Sequence, residues 1–156
     1  MNPKDPAQPG VPYRSKTLAA WLALLLGTLG AHRFYLHGWR DRLGWLYVLP
    51  SLVGAVGVVR MRELGQDDRL AWLLVPLLGL MISVAMITGI VHALTPDETW
   101  DRRHNPGQAG RATGWGPVLA AIAGLMVGGA VLMGTIAFSG QKFFEWQLED
   151  TGAARP

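Results

Sequence analysis

The stretch Gly27–Trp39 reads GTLGAHRFYLHGW and joins two apolar segments, Leu18–Ala31 and Leu43–Val59. A short connector that is both basic and aromatic is typical of a helical hairpin that turns at a membrane surface. Arginine and aromatic side chains favour the headgroup region, where charge meets water and rings meet lipid. We therefore expect the turn to be anchored at the interface by Arg33, Phe34 and Tyr35.

The composition of the chain also favours a membrane protein. Of its 156 residues, 50% are apolar and 16% are charged, whereas soluble domains carry about 25% charged residues. A charge at the centre of a bilayer costs several kcal/mol, so spans exclude it. We predict an all-α membrane protein with four transmembrane helices, the first two forming a tight helical hairpin. The four segments without Lys, Arg, Asp or Glu are Leu18–Ala31, Leu43–Val59, Leu70–Leu94 and Gly116–Ser139.

The first of these segments is the shortest. Leu18–Ala31 has only 14 residues, and a helix needs about 20 to cross the hydrocarbon core. It can span if the helix extends from Ser15 to Leu36, with Lys16 and Arg33 reaching outward to the headgroups. A cleavable signal peptide is the alternative, but cleavage there would remove half of the hairpin.

The segments divide the chain into a disordered N-terminal tail (1–12), a hairpin (13–60), two further transmembrane helices with an interfacial connector (61–146), and a flexible C-terminal tail (147–156). Thr95 to Glu98 has the form of a capping box, with proline at the first helical position. This pattern predicts a short interfacial helix from Pro96 to His104 before the fourth span.

The fourth segment carries a ladder of small residues at intervals of four. In lipid, such a ladder lets another helix backbone approach closely and gain dispersion contacts. We expect it to pack the helices of one chain together, and the alternative is that it faces a second copy of the chain. The ladder consists of Gly116, Ala120, Gly124 and Gly128.

Residues suited to catalysis are few. The chain has no cysteine, which excludes disulfides and thiolate chemistry. Asp97, Glu98, Asp101 and His104 form one carboxylate–histidine cluster that could ligate a hard metal, although Arg102 and Arg103 beside it favour an ordinary interfacial connector. We predict no metal site, no cofactor and no enzymatic activity. The basic residues are spread over five segments, which favours anionic lipid over nucleic acid.

The amino-acid sequence around the connector is similar to the signature of a known family. Ser15-Lys16, then LLLG at Leu24–Gly27 and GAHRFYL-x-G at Gly30–Gly38, resembles the signature of the TM2-domain family. Members have two transmembrane helices joined by a short loop, and the resemblance implies binding or scaffolding rather than a defined reaction. The motif positions are Gly30, His32, Arg33, Phe34, Tyr35 and Gly38.

This chain departs from the family pattern at two places. The family often has Asp where His32 stands, and a Trp and an Asp near the end of its second helix. Here that region, Gly54–Arg60, has neither, so a role for that acid does not carry over.

These observations predict an integral protein of a bacterial inner membrane with a non-catalytic packing, interaction or scaffolding role. The alternatives are a small transporter or channel subunit and, third, a membrane enzyme with a site near residues 97–104. The expected partners are membrane lipids and either a protein partner or a second copy bound through small-residue helix faces. Four spans place both termini on one side, and Arg14 and Lys16 before the first span favour the cytoplasm.

Overall fold

A computed structural model of the protein describes residues 12–108 and 110–153, and all regular secondary structure in those ranges is helical. The predicted all-α fold is therefore confirmed. The predicted N-terminal tail lies outside the described residues except for Pro12. The helices are α1 (Lys16–Leu26), α2 (Ala31–His37), α3 (Arg42–Leu64), α4 (Arg69–Leu94), α5 (Asp97–His104) and α6 (Gly116–Ala153), with a 3₁₀ turn at Gly27–Leu29 after α1.

Three of these helices are long and apolar enough to cross a membrane: α3, α4 and the part of α6 from Gly116 to Thr151. The shortest has 23 residues, or roughly 34 Å at 1.5 Å per residue, which exceeds a hydrocarbon core of about 30 Å. The apolar helix that covers Lys16–Leu29 is shorter. Four transmembrane helices are thus not confirmed.

The short first helix enters the bundle beside the end of α4. The Lys16 ammonium donates to the Thr95 carbonyl at 2.9 Å. A Cβ added at Gly27 would lie 2.6 Å from the Cβ of Ala85. Ala85 precedes Thr95 by ten residues of α4, so α1 descends roughly 15 Å along that helix.

The chain then turns and comes back to the end from which it started. Gly30, with φ 68°, reverses the direction after the 3₁₀ turn. Within α2, the Tyr35 hydroxyl accepts a hydrogen bond from the Ser15 amide at 2.8 Å, and Leu36 packs with Ala19 in one buried cluster. The first apolar segment therefore folds back on itself as a helical hairpin. A stretch of 14 apolar residues suits this arrangement, because it is too short to cross.

The directions of the long helices follow from their contacts. α3 runs antiparallel to α4, since Tyr47 meets Thr88 whereas Gly54 meets Leu78. α6 also runs antiparallel to α4, from Gly116 beside Thr17 to Glu149 beside Arg69. We call the end with Ser15, His37, Thr95 and Gly116 the hairpin end, and the end with Leu64, Arg69 and Glu149 the far end.

The described chain starts and finishes at opposite ends of the helix bundle. The described chain begins at the hairpin end with residue 12 and finishes at the far end with residue 153. The expectation that both termini share one side depends on four spans, and the fourth span is not confirmed.

The interfacial helix forms almost where the sequence predicts it. α5 begins at Asp97, with Pro96 as its N-cap residue, and no side chain caps it. The Thr95 hydroxyl donates to the Val91 carbonyl at 2.6 Å, so it terminates α4 and does not cap α5. At the C-terminus, α6 continues through Ala153, beyond the predicted start of the flexible tail at residue 147.

The ladder of α6 faces the interior of the same chain. Gly116 lies against Thr17 of α1, whereas Gly124 and Gly128 lie against α4. Ala120 is buried in a cluster with Ala20 of α1 and Ala93 of α4. Small residues here let three helices approach closely enough for backbone and side chain to touch.

We predict that Gly128→Leu destabilises the bundle and that Gly129→Leu does not. A Cβ at Gly128 would lie 2.7 Å from the Cβ of Met86, whereas nothing lies within 4 Å of a Cβ at Gly129. Overpacking of this kind costs about 1–3 kcal/mol. Both changes gain the same helix propensity, so Gly129→Leu is a matched control. Thermal unfolding in detergent measures the difference, and equal melting temperatures would show that α6 does not pack on α4 through Gly128.

Candidate functional site

A buried lysine joins four segments at the hairpin end. Lys16 is 6% exposed, and its ammonium contacts the Asp97 carboxylate of α5 as well as the Thr95 carbonyl. The Oδ1 atom of Asp97 that Lys16 contacts also accepts a hydrogen bond from the Thr113 hydroxyl at 2.7 Å, and the Oδ2 atom accepts one from the Thr113 amide at 3.0 Å. This network, which we call the Lys16 latch, ties α1 to the end of α4, to α5 and to the segment before α6.

A second polar network joins the residues before α1 to α5. The Tyr13 hydroxyl donates to Asp101 at 2.7 Å. The Arg14 carbonyl accepts from the Trp100 indole at 2.8 Å and from the Asn105 amide at 3.2 Å. Trp100 and Asn105 are both 2% exposed. A buried indole and a buried amide need such partners, so these bonds fix α5 against the start of the chain.

The connector motif builds the returning arm of the hairpin. At Gly30, a Cβ would lie 2.5 Å from the Gly44 carbonyl oxygen of α3, and φ is positive; both facts require glycine. Gly38 also has positive φ and ends α2, its amide donating to the Phe34 carbonyl at 2.8 Å. These glycines shape the turn, which explains why the motif begins and ends with them.

The side chains of the motif differ in their surroundings. His32 is completely buried and lies edge-on to Tyr47, with ring centroids 5.1 Å apart. Phe34 stacks on Trp39 at 5.0 Å. The Arg33 guanidinium donates from Nε to Asp41 at 2.6 Å, and this bond lowers the pKa of the Asp41 carboxyl.

A cavity of about 220 Å³ opens between α2, the end of α4 and α5. We call it the histidine pocket. Two arginines and three histidines line it, together with threonine hydroxyls and the Trp100 ring, and no carboxylate does. The charged, imidazole and hydroxyl lining residues are Arg33, His37, Thr88, His92, Thr95, Thr99, Arg103 and His104.

All four histidines of the chain lie in or beside this pocket. The His92 ring is 5.9 Å from the ring of His32 and 5.5 Å from that of Trp100. The ring of His104 also contacts Trp100, with centroids 4.1 Å apart. Sequence patterns single out each histidine separately but do not group them, because the four lie on three helices whose packing is set by tertiary contacts. The only signal was that every histidine falls near a predicted helix end.

The predicted carboxylate–histidine cluster separates in the structure. Asp97 and Asp101 point toward the start of the chain, where they accept hydrogen bonds from Lys16 and Tyr13. His104 instead lines the histidine pocket. Within residues 12–108 and 110–153, no group of three or more His, Asp or Glu side chains could hold a metal ion. Burial lowers the pKa of His104, and the neighbouring Arg103 lowers it further.

The comparison with known families matches the hairpin and α3. Residues 12–62 match the family model described as TM2 domain. We refer to this matched segment as the TM2 domain. The resemblance seen in the sequence is therefore confirmed, and the matched residues run from the start of the polar network through α3. Comparisons with curated proteins and with solved structures found no match.

The TM2 domain accounts for about a third of the chain, and α4 to α6 complete it physically. α4 packs against both arms of the hairpin, through Gly27 on α1 and through His32 on α2. α5 supplies the carboxylate for Lys16 and the indole for Arg14. The turn of the hairpin is buried at Gly27 and Gly30, and burial within protein is the condition under which non-spanning backbone is tolerated at membrane depth.

We predict that Asp97→Asn weakens the Lys16 latch and removes part of the acid sensitivity of the fold. The Lys16 hydrogen bond, with those from Thr113, lowers the pKa of Asp97 to about 2. A depressed carboxyl pKa stabilises the folded state above the unfolded value of about 3.9, and this stabilisation is lost as the pH falls toward 2. At pH 7 we expect a loss of about 1–2 kcal/mol, since one partner is buried.

The measurement is thermal unfolding in detergent between pH 7 and pH 2.5. The wild type should lose more stability below pH 4 than Asp97→Asn does. Glu149→Gln is the control, because Glu149 pairs with Arg69 where both side chains are exposed, and such pairs contribute roughly 0–1 kcal/mol. Parallel pH curves for the wild type and Asp97→Asn would contradict the role given to the latch.

Proposed function

We propose that this protein is a non-catalytic interaction module of the membrane, in which the hairpin end is a rigid recognition face. The observation that carries this proposal is the pair of networks around Lys16 and Trp100, which fix the TM2 domain against α5. A surface whose backbone is fixed before binding loses little conformational entropy when a partner docks. The packing of α3, α4 and α6 holds the elements that form this face in place.

The state of the carboxylates supports a role without catalysis. Asp97 and Asp101, the acids that could serve a membrane enzyme near residues 97–104, already accept hydrogen bonds from Lys16, Thr113, Tyr13 and Asn105. A general acid or base must instead be free to exchange a proton with a substrate. Their bonds connect helices, which is a structural role.

For orientation, we propose that the hairpin end faces the cytoplasm of a bacterial inner membrane. Eight Lys or Arg residues of the described chain lie at the hairpin end, and four lie at the far end. Cytoplasmic loops carry the excess of Lys and Arg. The N-terminus then remains cytoplasmic as the sequence suggests, while the C-terminus lies on the opposite side and the motif loop faces inward. The eight are Arg14, Lys16, Arg33, Arg40, Arg42, Arg102, Arg103 and Arg111.

Single-cysteine labelling tests this orientation, and the natural absence of cysteine removes any background. We expect a membrane-impermeant maleimide to label Gln66→Cys, in the exposed α3–α4 loop, in intact cells. Ala112→Cys, exposed at the hairpin end, should react only after the cells are permeabilised. The reverse pattern would invert the topology, and labelling of both sites in intact cells would contradict a fixed orientation.

The interaction role is tested by photocrosslinking in living membranes. A benzoylphenylalanine at Trp39, which is 75% exposed beside the hairpin, should give discrete adducts with a membrane component. The same probe at Phe144, exposed near the far end, is the control for general lipid contact. We expect adducts from Trp39 that Phe144 does not give, and their loss when Asp97→Asn loosens the latch.

Two results would oppose the proposal. Identical adducts from Trp39 and Phe144 would mean that the hairpin end recognises nothing in particular. Solute flux through proteoliposomes that contain the purified chain, above that of liposomes with the Gly128→Leu variant, would favour a small transporter instead.

A further inference from the structure

We infer that the histidine pocket binds the phosphate group of an anionic ligand. This inference deepens the proposed interaction role by naming the chemistry that the hairpin end recognises. It rests on four observations about the pocket: its charge, its donor groups, its size and its depth in the bundle.

The charge of the pocket is positive and only partly balanced. Arg103 makes no ion pair or hydrogen bond within the described part of the chain. Arg33 gives its Nε to Asp41, and Asp41 also lies 3.9 Å from the Nδ1 atom of His37. Asp41 can neutralise one of the two guanidinium charges, so the charge of Arg103 remains available for an anion.

The donors around the pocket suit an oxyanion with several oxygens. A guanidinium carries five N–H donors, and each imidazole has at least one donor in its neutral form. His92 and His104 both contact the Trp100 ring, and Thr99 adds a hydroxyl to the lining. Arginine binds phosphate through paired charge-assisted hydrogen bonds. A metal ion would need carboxylate or several imidazole ligands in reach, and the described residues form no such group.

The size and depth of the pocket favour a phosphate over a whole small molecule. Its 220 Å³ is below the roughly 300–1,000 Å³ that buries a drug-sized ligand. The lining runs along α4 from Thr88 to Thr95, the last residues of that helix, which is the depth of the headgroups if α4 spans the bilayer. Both a lipid headgroup and a soluble phosphate ester can reach this depth.

A buried histidine behind the pocket adds an independent observation. His32 is 0% exposed, and neither of its ring nitrogens has a hydrogen-bond partner among the described residues. It lies against His92, which lines the pocket. Unpaired polar groups in a protein interior are uncommon and often mark a place where a ligand or water completes the network. Polar groups therefore continue behind the lining of the pocket, from His92 to His32.

The test uses the purified full chain in a maltoside detergent, which carries no phosphate. Binding of short-chain phosphatidic acid and of inorganic phosphate is measured by calorimetry, with dihexanoylglycerol as the lipid without phosphate. We expect phosphatidic acid to bind and dihexanoylglycerol not to bind. Competition by millimolar inorganic phosphate would point to a soluble phosphate ester as the ligand, and its absence would point to a lipid headgroup; both results support the pocket.

Variants locate the binding to the pocket. Arg103→Gln should weaken binding about ten-fold or more, the effect of losing one charge-assisted hydrogen bond, and Arg103→Lys should restore part of it. Arg102→Gln removes the same charge from the next residue, which does not line the pocket and only donates to the Thr99 hydroxyl at 3.3 Å, so it should weaken binding much less than Arg103→Gln does. His92→Phe keeps an aromatic ring against Trp100 but removes the donors, and it should weaken binding without lowering the melting temperature.

Several outcomes would overturn the inference. The first is that the folded wild type binds no phosphate compound. The second is that dihexanoylglycerol binds as tightly as phosphatidic acid. The third is that Arg103→Gln and Arg102→Gln bind phosphatidic acid with equal affinity. The proposed interaction role would survive such a result if the Trp39 adducts persist, because crosslinking reads partner contact without reference to phosphate. Conversely, if phosphate binds but the probe at Trp39 gives no adduct, the phosphate site is supported and the proposed interaction role is contradicted.

Discussion

The buried ammonium of Lys16 is the interaction on which the hairpin end depends. A lysine taken out of water costs several kcal/mol unless it is paired and hydrogen-bonded, and here it meets both a carbonyl and a carboxylate. These acceptors belong to the end of α4 and to α5, so the charge can be buried only when α1, α4 and α5 are in place together. The latch therefore makes the TM2 domain and the later helices one cooperative unit.

In the interior of the bundle, the helices are held together by close contacts between small residues. α1 lies on α4 through Ala23 and Gly89, and α3 lies on α4 through Gly54. In lipid there is little hydrophobic gain in bringing helices together, so contacts between small residues must supply the dispersion energy. Because α4 receives both α1 and α3, it is the central helix of the fold, although the family match ends before it.

The sequence was sufficient for the long helices, for α5 and for the family. Charge-free length identified α3, α4 and α6, and the Thr95–Glu98 pattern located α5 within one residue. Whether the first apolar segment, Leu18–Ala31, spans or folds back could not be decided from its length and charge. Fourteen apolar residues are compatible with an extended span or with a return, and the choice depends on the bond between Ser15 and Tyr35, which no local pattern reveals. The histidine pocket was missed for the same reason, since its members come together only through packing of α2, α4 and α5.

The length of α6 has a mechanical consequence. Its 38 residues span roughly 57 Å, whereas a bilayer with its headgroups is about 40–45 Å thick. α6 starts beside Thr17 at the hairpin end, and Glu149 near its last turn pairs with Arg69 at the start of α4. Because α6 is longer than the membrane is thick, it must either tilt or extend beyond the headgroups. A tilt of α6 also tilts α4, since the two helices are packed along their length through Gly79, Gly124 and Gly128.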